Sequence, residues 1–244
     1  MPIIGCDCTV CTSTNPKNKR RRVSVFIETA GVNLLIDTSP DLREQALENN
    51  IRLIDGVLYT HDHSDHVNGL DDLRRFGYLQ KSKINIYGNS ETIDSLQKRY
   101  EHAFGDVLPE WGWYKLRLQS HVINPSAAFS VRGVDVMGFE QIHGKYKSLG
   151  YRIGNFAYST DVSNFSDECF DGVLQGLDLW VVDCQGYADS SAHSIFEKTL
   201  KWIERVKPKR AILTHMGHEF DYDKIKSELP EGVEPGYDNM KINI

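Results

Sequence analysis

The sequence predicts an α/β fold with a mixed sheet system, and three observations carry that prediction. Short β-rich apolar runs recur along the chain. Helical patterns lie between them, and no Gly/Ser-rich or Pro-rich linker and no internal repeat divides them. With 244 residues, 40% hydrophobic and 25% charged, the chain is long enough to bury a sizeable core. A single α/β domain over 1–244 is expected.

In chain order, the strand-like runs are 23–29 (VSVFIET), 32–38 (VNLLIDT), 57–60 (VLYT), 84–87 (INIY) and 129–140 (FSVRGVDVMGFE). They continue with 149–154 (LGYRIG), 156–160 (FAYST), 179–183 (LWVVD) and 211–214 (AILT). The early strands follow one another closely, as in a meander, whereas the later ones alternate with helices. Ser39 and Pro40 supply a cap and a first-turn proline for the helix DLREQALENN. Ile93, Leu96 and Tyr100 mark a second helix by their three- and four-residue spacing, and Phe196, Leu200 and Ile203 mark another.

Composition narrows the function. The formal net charge is −6, which weighs against a partner that is a polyanion. No apolar run reaches the roughly 18 residues of a membrane span. The start MPIIGCDC lacks the apolar core of a signal peptide, so a cytoplasmic location is expected. Of five cysteines, Cys6, Cys8 and Cys11 crowd into GCDCTVC. In a reducing compartment that pattern points to metal binding more than to disulfides.

Candidate ligand residues stand at strand ends. The runs finish at Asp37, His61, Asp161, Asp183 and His215, where α/β folds place their ligands. The strongest motif is YTHDHSDHVNGL, with His61 and His63 projecting to one side of extended backbone and Asp65 and His66 at the turn into a helix. A single ion rarely takes four ligands from six consecutive residues, whereas two ions about 3.5–4 Å apart can share them.

On these residues the chain resembles the metallo-β-lactamase superfamily of binuclear hydrolases. The resemblance implies an αβ/βα four-layer sandwich with a metal centre at one edge. It also implies the remaining ligands: His143 in EQIHGKYKSLGYRI, Asp161 in AYSTDVS as the bridging carboxylate, and His215 in AILTHMGH. One metal would take His61, His63, His143 and Asp161, and the other Asp65, His66, Asp161 and His215. Asp37 matches the aspartate that orients a ligand histidine. The motifs span residues 37 to 215. Flavo-diiron relatives have a glutamate where this chain has His63, so hydrolysis is favoured over redox chemistry.

Two divalent ions, Zn2+ or Mn2+, lower the pKa of a shared water and hold phosphoryl oxygens, with Asp65 orienting the nucleophile. The leaving alkoxide then needs a proton. By its position alone, His193 reads equally as that donor and as a capping or surface histidine. The opening IIGCDCTVCTSTNPKNKRRR is similar to a narrower subgroup, the phosphoribosyl cyclic phosphodiesterases of the carbon–phosphorus lyase pathway. That resemblance implies His193 as general acid and a structural zinc on Cys6, Cys8, Cys11 and His218, within a zinc-binding segment at 1–22. Members of the subgroup usually begin with a strand and a Gly-Thr-Gly-Thr-Ser-like turn ahead of the cysteines, whereas this sequence starts almost at them: either its start is misplaced or shortened, or the fold lacks its first strand. Many relatives also continue after the position of Asp183 with a small residue and then Leu-Arg, where this chain has Cys184-Gln185-Gly186-Tyr187 and no arginine.

The expected function is therefore a metal-dependent phosphoric diester hydrolase cleaving a small cyclic or nucleotide-like phosphodiester, with a homodimer suggested by the resemblance. A superfamily RNA endonuclease and a non-catalytic, metal-stabilised binding protein are the alternatives. Weaker features are KNKRRR (17–22), a phosphate or nucleic-acid patch or, more usually, a solvated face, the histidines His102 and His121, for which surface or packing roles are expected, and the aromatics Trp111, Trp113 and Tyr114, which suit base stacking, a lid, a core or a dimer interface.

Overall fold

The computed structural model describes residues 1–106, 112–125 and 127–244. The chain runs through β1 (Val25–Thr29), β2 (Val32–Ile36), α1 (Leu42–Glu48), β3 (Gly56–Leu58), α2 (Ser64–Val67), α3 (Leu73–Gln80), β4 (Ile84–Gly88), α4 (Ser90–Arg99) and β5 (Leu118–Val122). It continues through β6 (Ala128–Val131), β7 (Val134–His143), β8 (Tyr146–Ile153), β9 (Phe156–Ser159), α5 (Asp167–Asp171), β10 (Leu179–Asp183), α6 (Phe196–Val206), β11 (Arg210–Thr214), α7 (Tyr222–Glu228) and β12 (Val233–Pro235). Two compact units result: residues 22–138, and residues 1–21 with 139–244.

In the 22–138 unit, five strands form a sheet in the order β1-β2-β3-β4-β5. The β1–β2 pair is antiparallel and turns at Ala30 and Gly31, both with left-handed backbone (φ 49° and 75°), as a two-residue hairpin loop requires. The remaining pairs are parallel, so the meander expected for the early strands is not what forms. Parallel neighbours need crossovers, and α1, α2 with α3, and α4 supply them. Leu42, Leu73, Phe76, Ile93 and Leu96 from these helices share one core with Leu35, Val57, Ile84 and Ile86 from the sheet. The first helix starts after Asp41 rather than at the Ser39 cap; the Ser39 hydroxyl instead accepts from the Asp41 N–H at 3.2 Å. The single run at 129–140 splits into β6 and β7 at Arg132 and Gly133 (φ 50° and 88°). Strand β5 was not foreseen, because its polar Gln119, Ser120 and His121 interrupt the apolar pattern.

In the other unit, β9, β10, β11 and β12 are parallel neighbours, and β8 joins β9 antiparallel. Thr199, Trp202, Ile203 and Val206 form the buried stripe of α6 at helical spacing. Trp202, Ile203 and Val206 pack with Trp180, Val182, Ala211 and Leu213 of the sheet. Trp180 is fully buried, and its indole N–H donates to the Ser159 hydroxyl at 3.1 Å. The edge strand β12 was missed for its brevity and its proline, which a sheet edge tolerates. Among the described residues, no helix is long and apolar enough to cross a membrane.

Candidate metal centre

Sheet register gathers the candidate residues of each unit. The parallel pairing Val182↔Ser159 and Asp183↔Thr214 brings the carboxyl ends of β9, β10 and β11 to one edge, where Asp161, Asp183 and His215 follow. In the 22–138 unit, Ile36↔Leu58 does the same for Asp37 and the segment leading to His61. Asp37, Asp161 and His215 all have left-handed backbone (φ 60°, 51° and 56°). Such conformations cost about 1–3 kcal/mol each in non-glycine residues and cluster where side chains must be aimed. The strand must turn sharply at its end to point these groups off the sheet edge.

Around the histidine motif, Asp37 is fully buried and organises three partners. Its carboxylate accepts from the Thr60 N–H and the Thr60 hydroxyl, both at 2.8 Å, and lies 2.8 Å from His66 Nδ1. Burial pushes the Asp37 carboxyl up from its ordinary pKa, and His66 opposes that rise. A carboxylate on Nδ1 turns the Nε2 of His66 outward as the ligating nitrogen. The His61 ring lies 4.4 Å from that of His63 and 4.3 Å from that of His66. Asp65 Oδ2 is 3.5 Å from His66 Nε2. From α4, the Arg99 guanidinium donates to the Asp62 carbonyl at 2.6 Å and to Asn68 Oδ1 at 2.8 Å, which braces the loop from both ends.

In the other unit, Asp161, His193 and His215 place their potential ligand atoms within 4.8 Å of one another. Asp161 lies 3.5 Å from His143 Nε2 through Oδ2 and 3.5 Å from His215 Nε2 through Oδ1. His143, at the end of β7, is oriented by the Ala192 carbonyl, 2.7 Å from its Nδ1. His193 stacks on His215 with ring centroids 5.0 Å apart. Asp183, buried at the end of β10, was noted in sequence as a strand end but given no role. Its Oδ2 lies 3.3 Å from His193 Nδ1 and accepts from the Val162 N–H at 3.2 Å, while its Oδ1 lies 3.5 Å from His215 Nδ1. The strand-end pattern was the signal that could have assigned it.

Cys6, Cys8, Cys11 and His218 converge in the same unit, their donor atoms within 4.8 Å of one another. The three sulfurs lie 3.3, 3.5 and 3.7 Å from His218 Nδ1. Tetrahedral zinc, with Zn–S of about 2.3 Å and Zn–N of about 2.0–2.1 Å, requires an S···N edge of about 3.6 Å. The donor set therefore fits zinc in chemistry and in spacing. The Cys11 N–H, 3.4 Å from Cys8 Sγ, is the main cause that pulls the Cys8 thiol down to about 6, with His218 adding to it. Cys184 is buried in the core, and Cys169 packs against it.

The family that matches residues 32–216 is the beta-lactamase superfamily domain. The chain belongs to the beta-lactamase superfamily. Its two sheets and flanking helices are the metallo-β-lactamase fold, in a superfamily of metal-dependent hydrolases whose fold implies divalent ions. A crystal structure of a new diphosphatase from the PhnP family superposes with a TM-score of 0.91 at 32% identity, covering 100% of this chain and 92% of that one. An octanoyltransferase of Porphyromonas gingivalis is 32% identical over 246 residues, covering 100% of this chain and 49% of that protein. The exodeoxyribonuclease YycJ of Bacillus anthracis is 24% identical, covering 72% of this chain and 58% of that protein. The superfamily chain described here thus spans about half the length of these two relatives.

The weaker sequence features resolve differently. Part of the KNKRRR run is tied down, with Lys19 and Arg22 left exposed: the Lys17 ammonium sits 4.3 and 4.4 Å from the ring centroids of Tyr222 and Tyr237. Arg20 is buried and donates to the carbonyls of Lys17, Gly217 and Phe220. His102 pairs with Asp71 at 2.8 Å on the surface, and His121 stacks on Tyr87 and bonds Asn85. Tyr114 is exposed against Tyr78, Trp113 is half-buried, and Trp111 lies outside the described residues.

Proposed function

We propose that this chain is a binuclear metal-dependent phosphodiesterase acting on a small phosphodiester or diphosphate, with His193 as the proton donor. His61, His63, His143 and Asp161 are assigned to one ion, and Asp65, His66, Asp161 and His215 to the other. Cys6, Cys8, Cys11 and His218 are assigned to a structural zinc. Residues 1–244 are taken as one metallo-hydrolase domain, supported by a family match at 32–216 that runs through both compact units. When bound, the paired ions supply charge neutralisation at the phosphoryl oxygens and a nucleophile at neutral pH.

One observation carries the reading. His193 Nδ1 faces two carboxylates, Asp183 at 3.3 Å and Asp161 at 3.8 Å, beside His215. A carboxylate on Nδ1 stabilises the imidazolium, so the proton that leaves is the one on Nε2. Hydrolysis forms a P–O bond to the water oxygen, whose proton is lost to solvent and later replaced on His193 from solvent, and breaks the P–O bond to the leaving group. The leaving oxygen then takes the Nε2 proton of His193. Asp65, half-buried in the histidine loop, is the carboxylate assigned to orienting the water. The relative named as a diphosphatase supports a compact phosphorus substrate. Lys17 and Arg20 of the basic run are held by Tyr222, Tyr237 and backbone carbonyls, which weighs against a nucleic-acid grip despite the exonuclease relative.

The test uses diesters with good and poor leaving groups, bis(p-nitrophenyl) phosphate and a ribose cyclic phosphate, each with Zn2+ or Mn2+. Metal-dependent turnover is expected, and His193→Ala should lose about 10²–10⁴-fold on the alkyl leaving group and much less on p-nitrophenol. No metal-dependent turnover of any diester or diphosphate overturns the reading. A second reading, His193 as a metal ligand, is favoured by its place in the Asp161/His193/His215 group; it requires His193→Ala to lose an ion.

A further inference from the structure

The loop carrying His193 is anchored at both ends. Its far end is fixed by Ala192, whose carbonyl orients His143, and within the loop the Ser190 hydroxyl accepts from the His193 N–H at 3.2 Å. Its near end, 184–187, meets the segment 217–220 at two places. The Gly217 N–H donates to the Gln185 carbonyl at 2.8 Å. The Glu219 carboxylate accepts from the Tyr187 N–H at 2.9 Å. Both approaches depend on glycine. A Cβ on Gly217 would stand 2.6 Å from the Gln185 oxygen, and one on Gly186 would stand 3.0 Å from Glu219 Oε2. His218 lies between the two contacts and faces the cysteines. Arg20 grips the same segment through the carbonyls of Gly217 and Phe220, at 3.3 and 2.6 Å.

We propose that Glu219, together with the Gly217–Gln185 contact, is a positioning residue for His193. This rests on the reading of His193 as the proton donor. The residues on either side of His218 hold the near end of the donor loop, so the cysteine–histidine clamp fixes His193 as well as the N-terminal segment. Gln185-Gly186-Tyr187 then has a role of its own: Gly186 admits the carboxylate, and Tyr187 offers it an N–H. The Tyr187 ring adds packing on Phe220, 4.5 Å between centroids.

The experiment compares Glu219→Ala, Glu219→Gln, Gly217→Ala and His193→Ala in the metal-loaded full chain. Three quantities are read: amide hydrogen exchange over 184–193, bound metal, and turnover of an alkyl and a p-nitrophenyl diester. Glu219 is exposed, so its removal should leave folding intact. Glu219→Ala is expected to speed exchange over 184–193 about tenfold. It should also cut alkyl-ester turnover by roughly 10–100-fold, as a misplaced catalytic group does, with p-nitrophenyl turnover falling far less. Glu219→Gln keeps an acceptor oxygen and should restore most of the loss, whereas Gly217→Ala should reproduce the loosening. Unchanged exchange over 184–193 in Glu219→Ala, or equal losses on both esters, overturns the proposal. If His193→Ala shows no leaving-group dependence, the proton-donor reading fails instead, and the exchange data still decide whether Glu219 holds the loop.

Discussion

Asp183 Oδ2 lies 3.3 Å from His193 Nδ1, while its other oxygen lies 3.5 Å from His215 Nδ1. One buried carboxylate thus orients the proposed proton donor and a proposed metal ligand. Asp183→Asn keeps the shape and removes the charge. It is expected to lower turnover of alkyl diesters by about 10²-fold through a less stable imidazolium. Asp183→Ala also strips the acceptor from the buried Val162 N–H, at a cost of about 1–3 kcal/mol, readable as a lower midpoint in denaturant. Equal turnover in wild type and Asp183→Asn would remove Asp183 from the site.

Asp37 has the corresponding place behind His66, with no exposure to solvent. Asp37→Ala frees the His66 ring to rotate and should weaken binding of the paired metals by roughly 10–100-fold. Competition with a chelator measures it. The cysteine clamp should keep its zinc in the same variant.

The Cys8 thiol, pulled down to about 6, gives a pH signature in the metal-stripped protein. A lowered value means thiolate above about 6, lost as pH falls through it. Alkylation of Cys8 by iodoacetamide should therefore be half-maximal near pH 6 and flatten above it. Zinc should protect it. Cys8→Ala should lose one zinc per chain and keep the paired ions; loss of none would unseat the clamp.

Gly69 closes the histidine loop, its N–H donating to the Thr38 carbonyl at 2.9 Å. A Cβ there would fall 2.0 Å from the Ser39 carbonyl oxygen, which no rotamer change relieves. Gly69→Ala is expected to cost about 1–3 kcal/mol or more. At this chain length the melting temperature should drop by about 2–4 °C for each kcal/mol. Metal content should fall with it, since Thr38 N–H also donates to the His66 carbonyl at 2.8 Å.

Much of this was legible in sequence because it is local. Apolar runs of strand length, the six-residue stretch His61 to His66 and the three close cysteines are properties of short segments, and short segments carry their own periodicity. Five strand ends with ligand-type residues likewise show in one dimension. Strand β5 and the split at Arg132 did not show, because a polar strand and an Arg-Gly turn lack a strong local pattern. The direction of the early strands was misread for a related reason. Parallel and antiparallel neighbours have similar strand sequences, and only the crossovers α1 to α4 decide between them.

By itself, the sequence determined the residue types and their spacing, and through them the superfamily and the chemistry of the donor sets. Tertiary structure alone decided that Asp183 reaches both His193 and His215, that Arg20 and Lys17 are tethers, and that the neighbours of His218 touch the His193 loop. The physical reason is sequence separation. Contacts such as Gly217 to Gln185 or Cys6 to His218 join residues far apart in the chain. No local preference encodes them; sheet register and left-handed turns at Asp161 and His215 bring them together.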